Sequence, residues 1–145
     1  MRVYFIFNIK EEFKKLYINN QRVLFNVLKQ ISNIEKEEIT FGYNMFSQLI
    51  NPINKEELDT RMFLKLHKEY VYSKKNDTHY LNNLYKDEIS RMTIKKTYIK
   101  IEAEQLGSSF LEEINKLDGN FFLCEFNNID YCFLKEHFSK EYVVL

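Results

Sequence analysis

Residues 3–9 read Val-Tyr-Phe-Ile-Phe-Asn-Ile, and this run limits the possible folds more than any other stretch of the chain. β-Branched and aromatic side chains suit a pleated strand, on which successive residues point to opposite faces. Val3, Phe5, Phe7 and Ile9 then face one way, Tyr4 and Ile6 the other. With apolar side chains on both faces, the strand belongs in the interior of the fold.

The chain can supply that interior. Its 145 residues are 45% hydrophobic and 29% charged, enough to bury one core and too apolar for a disordered segment. Ten Tyr and thirteen Phe without Trp suggest a dense core and at least one exposed sticky face. Three Gly and one Pro leave no linker, so residues 1–145 are read as a single domain. No apolar run is long enough to span a bilayer, and residues 3–9 precede no cleavage signal, so a cytoplasmic location is expected. Basic and acidic residues balance at 21 each, whereas a dedicated nucleic-acid binder usually carries a basic excess.

Lys-Glu-Glu followed by a large apolar residue occurs at Lys10–Phe13, Lys36–Ile39 and Lys55–Leu58. Each predicts a helix start, because first-turn carboxylates favour the positive end of the helix dipole. Asn8 with Glu11 and Asn54 with Glu57 have capping-pair spacing. Apolar positions 13, 16 and 17, then 24, 27, 28 and 31, predict a short helix, a turn at Asn19-Asn20-Gln21 and a second helix ending near Ser32. Ile39, Tyr43, Phe46 and Ile50 predict a third, stopped by Asn51-Pro52. Residues 55–72 fit a helix through Leu58, Met62, Leu66 and Tyr70, or a strand through Leu64 and Leu66 toward Tyr72.

Ile89–Ile94 and Tyr98–Ile101 predict a hairpin around Lys95-Lys96-Thr97. Ser109 and Glu112 match a capping box, with the helix closed by Asp118-Gly119. Phe121–Phe126 and Tyr131–Leu134 predict a second hairpin. If it centres on Asn128, Cys124 and Cys132 share one face with Phe122, Phe126 and Leu134, as small core side chains rather than a disulfide. The fold class is α+β: β-hairpins and an N-terminal interior strand packed with several helices, with a layered β/α/β arrangement as one option.

Chemistry is hard to find. No P-loop, GxGxxG, GxSxG or HExxH pattern occurs, and no catalytic, cofactor or metal residue is assigned. His67, His79 and His137 lack ligand spacing and read as solvated surface side chains. Lys65, His67, Lys68, Lys74 and Lys75, flanked by Tyr70, Tyr72 and Tyr80, form a basic-aromatic stretch of the kind that holds single-stranded nucleic acid, diluted by Glu69 and Asp77. Phe13 and Tyr17 share one face of the first short helix. They are either core residues, as large apolar side chains at helical spacing usually are, or two anchors offered to a partner.

The segment Tyr4-Phe-Ile-Phe-Asn-Ile-Lys-Glu-Glu-Phe13, followed by Tyr17 and by Leu24-Phe25, resembles the SirA family, the sporulation inhibitors of replication of spore-forming bacteria. Leu49-Ile-Asn-Pro52, the hairpin near Met92–Glu102 and the Cys124–Leu134 hairpin continue the likeness in order along the chain. The resemblance implies a small non-enzymatic protein that binds the N-terminal domain of the replication initiator DnaA and blocks initiation at the origin. Phe13 and Tyr17 match aromatic positions that the family uses on its DnaA-facing surface, and further family contacts lie near 43–48. The alternatives left by the residues themselves are a small-ligand-binding or single-stranded nucleic-acid-binding regulatory domain.

Overall fold

A computed structural model describes residues 1–33, 44–45, 47–69, 71–86, 88–104 and 109–142, with the backbone alone at 86 and 140–142. The strand over the first residues forms as expected, β1 (Arg2–Asn8). Two helices follow, α1 (Glu11–Tyr17) and α2 (Gln21–Ser32). Next come α3 (Lys55–Leu66), β2 (Tyr72–Lys75), β3 (Thr78–Asn83), β4 (Glu88–Ile94) and β5 (Ile99–Ala103). The chain then runs through α4 (Ser109–Asn115), β6 (Phe121–Glu125), β7 (Asp130–Phe133) and α5 (Leu134–Tyr142).

The strands make one antiparallel sheet in the order β2-β3-β4-β5-β1-β6-β7. β1 lies between β5 and β6, which is why both of its faces are apolar. On one face Tyr4 and Ile6 join Met92, Ile94, Ile99, Ile101 and Leu123 beneath residues of α3, α4 and α5. On the other, Phe7 joins Phe122, Cys124 and Phe133 beneath Leu24, Phe25, Leu28 and Ile31 of α2 and Leu49 and Ile50. The α+β class therefore stands, with its layers ordered helix, sheet, helix rather than β/α/β. The α2 stripe shifts slightly from the expected one, burying Phe25 where Val27 stays half-buried.

Several local expectations change once tertiary partners are present. Asn54 caps α3 by accepting from the Glu57 N–H at 3.2 Å. Asn8 caps nothing, because its side-chain oxygen accepts from the Asn120 N–H and Lys10 occupies the α1 cap position. Ser109 directs its N–H and hydroxyl at the Glu88 carboxylate, at 2.6 and 3.0 Å, rather than forming a capping box with Glu112. Residues 55–72 resolve into a helix followed by a strand beginning at Tyr72. The helix start expected at 36–39 lies outside the described residues, while 44–45 and 47–49 are helical.

The C-terminal hairpin slips by one residue from the expected register. Its last pair is Glu125 with Asp130, so Leu123 faces Cys132 and Cys124 faces Tyr131. A one-residue slip sends side chains to the opposite face. Cys124 is accordingly buried in the aromatic cluster and Cys132 packs against the other core. No disulfide joins them, and burial pushes the Cys124 thiol well above its ordinary pKa.

Candidate functional site

α1 follows the central strand directly and sits at the margin of the aromatic-rich cluster. Its first turn carries Glu11 and Glu12 and its last turn Lys14 and Lys15, each matching the dipole at its end. The Lys10 N–H donates to the Leu49 carbonyl at 3.0 Å and the Asn51 N–H to the Asn8 carbonyl at 2.7 Å. Ile9 and Ile50 form a β-bridge. The segment ending at Leu49 is thereby held beside the start of α1.

No residue of α1 is buried. Phe13 and Tyr17 are both half-buried, resting their inner edges on the aromatic cluster. Leu16 is 64% exposed. The three side chains stand at i, i+3 and i+4, an apolar stripe on an otherwise charged helix. Met45 packs on the same cluster and Asn44, Ser47 and Gln48 are exposed nearby in the chain; Tyr43 and Phe46 lie outside the described residues. Periodicity put Leu16 among the apolar positions without marking it as exposed, since spacing shows a shared face but not what covers it.

The cluster on which Phe13 and Tyr17 rest is built of tilted and edge-on ring pairs. Phe25 lies 5.4 Å from Phe126 and 5.1 Å from Tyr131, centroid to centroid. Phe5 meets Phe126 and Tyr98, each at 5.6 Å. Such pairs add to the area term in tilted and edge-on arrangements like these.

The other constellations read differently in the structure. His79 is fully buried rather than solvated. Its Nε2 meets Asp59 Oδ1 at 2.7 Å and its Nδ1 meets the Tyr72 hydroxyl at 2.7 Å. Lys55 donates to the second Asp59 oxygen at 2.6 Å. A neutral imidazole with the proton on Nε2 satisfies both contacts, donating to Asp59 and accepting from Tyr72. Burial lowers the His79 pKa, outweighing the hydrogen bond that His79 donates to Asp59. Burial raises and the Lys55 and His79 hydrogen bonds more strongly lower that of Asp59. Burial and the Asp59 charge push Tyr72 up to about 12. The group pins α3 to the β2–β3 hairpin, and its ring nitrogens are both engaged. His67 is exposed and stacked on Phe63, and His137 lies edge-on to Phe138.

Among its described residues the basic-aromatic stretch does not assemble into a stacking platform, and Tyr70 lies outside them. Tyr72 is buried beside His79, Lys65 reaches Glu113 at 3.6 Å, and Tyr80 pairs with Ser73 on the opposite sheet face from Tyr72. Lys74 and Lys75 lie exposed on the short edge strand β2, where charge discourages pairing with another chain. Three clefts among the described residues hold about 280, 240 and 230 Å³, below the range usual for enclosing a small ligand, and a fourth holds about 360 Å³, inside its lower part. No helix among the described residues is long and apolar enough to cross a membrane.

α1 thus carries a partly exposed apolar stripe, the kind of surface another protein covers, while Leu64, Leu84, Tyr85 and Ile129 are exposed elsewhere. Residues 2–137 match the family model for the sporulation inhibitor of replication protein SirA. The chain belongs to that family. The match runs from β1 into α5 and so takes in the central strand, α1 and both cores. No curated protein matches the chain significantly. The family's description names a regulator of replication and is silent on which residues act.

Proposed function

We propose that this protein restrains chromosome replication during sporulation by binding the N-terminal domain of the initiator DnaA through α1. One observation carries the reading: α1 buries no residue yet presents Phe13, Leu16 and Tyr17 together. A helix is normally held to its protein by a buried apolar face, and leaving large side chains at the surface costs solvation unless a partner covers them. Family membership supplies the process, and the resemblance at Phe13 and Tyr17 supplies the partner.

Inhibition by occlusion needs no catalysis. A standard interface takes about 800 Å² from each partner, with a few aromatic anchors dominating its energy. Phe13 and Tyr17 supply those anchors, Leu16 extends them, and the exposed Asn44, Ser47 and Gln48 form the neighbouring rim. Covering the initiator's domain in the cytoplasm then competes with its self-association or its assembly at the origin.

The test is direct binding to the purified N-terminal domain of DnaA by calorimetry. Phe13→Ala, Leu16→Ala and Tyr17→Ala are each expected to weaken the complex by about ten-fold or more. Because these side chains are at most half-buried, each should cost the free protein only about 1 kcal/mol. A native protein that forms no complex, or variants whose melting collapses while affinity holds, would sink the proposal.

A further inference from the structure

Building on the reading of α1 as the docking face, we propose that Asn120 and the Gln21–Glu136 pair are positioning residues that hold this helix in its binding pose. Seven residues are about half of what a helix needs to persist by itself in water. Packing makes up part of the difference, through the half-buried Phe13 and Tyr17, but none of the seven is fully buried. Beneath the helix, Lys14 and Ile18 border a cleft of about 240 Å³ that also meets Asn120, Phe133 and Glu136.

Polar ties secure both ends. At the start, the Asn120 side-chain amide donates to Glu11 Oε2 at 2.7 Å. The Asn120 N–H donates to Asn8 Oδ1 at 3.1 Å, and its carbonyl accepts from the Ile9 N–H at 2.9 Å. The Asn120 amide is the main reason the Glu11 carboxyl sits below its ordinary pKa. At the end, Gln21 Nε2 donates to the Ile18 carbonyl at 3.1 Å and to Glu136 Oε2 of α5 at 2.9 Å. The first tie joins α1 to the residue just before β6, 109 positions away, and the second runs from the α1 C-cap through Gln21 of α2 to Glu136 of α5.

These groups flank or line the cleft, while Phe13 and Tyr17 rest on the aromatic cluster. Their effect on binding therefore runs through the pose of α1. If the helix is in its pose for only a fraction of the time, the apparent affinity falls by that fraction.

The experiment uses the full chain with Asn120→Ala, Glu11→Ala, the double variant and Gln21→Ala. It measures amide exchange in α1, affinity for the DnaA N-terminal domain, and melting. Lys14 and Ile18 are the reporters, as their N–H groups donate to the carbonyls of Lys10 and Lys14. Asn120→Ala and Gln21→Ala should each speed exchange there and weaken binding by about five-fold, with melting nearly unchanged. The double variant should lose no more than the worse of its single changes. Unchanged exchange overturns the assignment, whether or not affinity falls, because an affinity loss alone would make these residues direct contacts. Affinity falling only in step with melting overturns it too. If the unaltered protein does not bind the domain, the docking reading fails, and exchange alone then decides whether the ties hold α1.

Discussion

At the scale of single residues, His79 shows most clearly how context sets a role. In sequence it is a lone histidine between Thr78 and Tyr80, with nothing local to mark it as buried. Its partner Asp59 lies twenty positions away on α3, and only the packing of α3 on the hairpin brings the two together. Replacing His79 with Ala would leave an Asp59 oxygen and the Tyr72 hydroxyl without their partner, and should cost about 2–4 kcal/mol by chemical denaturation. Tyr72→Phe removes one hydrogen bond and should cost about 1–2 kcal/mol. Affinity at α1 should be unaffected by either change in the fraction that remains folded. Gly119 is fixed by a different constraint. Its φ is +145°, and Asn8 Oδ1 stands only 2.9 Å from where a Cβ would project, leaving no room for a side chain beside the β1 exit.

At the scale of elements, what could be read depended on whether the signal was local. The Lys-Glu-Glu starts at α1 and α3 and the turn at 95–97 each have their determinants within a few residues, and each formed where expected. The Asn54 cap is of this kind, and Asn54→Ala should destabilise the protein by about 1 kcal/mol in thermal melting without altering binding. The β2–β3 hairpin escaped notice because Ser73, Lys74, Lys75, Asn82 and Asn83 carry little alternation of apolar and polar residues. Its turn is set by Asn76 at φ 55°, a conformation that asparagine tolerates better than most residues. The C-terminal hairpin was legible as a hairpin but not in register. Centring it on Asn128 ignores Ile129, whose φ of 52° and the four-residue turn it helps close shift the pairing by one. The candidate site was legible as two aromatic positions on one helix, and its third member, Leu16, emerged only with the exposure of each side chain.

For the whole molecule, the charged groups that lose most on unfolding are those tied across elements. Arg2 grips Glu125 through two hydrogen bonds, 2.8 and 2.6 Å long, joining the beginning of β1 to the end of β6, with Glu125 only 1% exposed. This guanidinium holds the Glu125 carboxyl below its ordinary value. Asp59 also stays below its ordinary value, the hydrogen bonds from Lys55 and His79 overcoming the effect of burial. Both carboxylates bind protons more readily when unfolded, so their contribution is present above the ordinary values of 4.5 and 3.8 and fades as pH falls through and below them. His79 acts earlier and in the same direction. With its folded pKa lowered from 6.5, the unfolded chain takes up a proton first, and stability begins to fall below that pH. Denaturation midpoints should therefore be level between about pH 7 and about pH 8, decline below about pH 6.5, drop faster below about pH 4.5, and fall again above about pH 9, where unfolding frees the buried Cys124 thiol to ionise. In His79→Gln the first decline should disappear while the second remains, whatever the variant's absolute stability.

Local side-chain chemistry by itself determined an interior N-terminal strand, the helix pair after it, two hairpins and the pairing of Phe13 with Tyr17 on one helical face. Each follows from period, propensity or turn residues within a short window. The tertiary structure decided the register of the last hairpin, the burial of His79, the helix-sheet-helix layering and the half-exposure of α1. Those depend on which distant groups meet, as Asp59 meets His79 and Asn120 meets Glu11, and on how much apolar area the assembled sheet leaves uncovered. A pattern of residue types carries neither quantity until the chain has closed on itself.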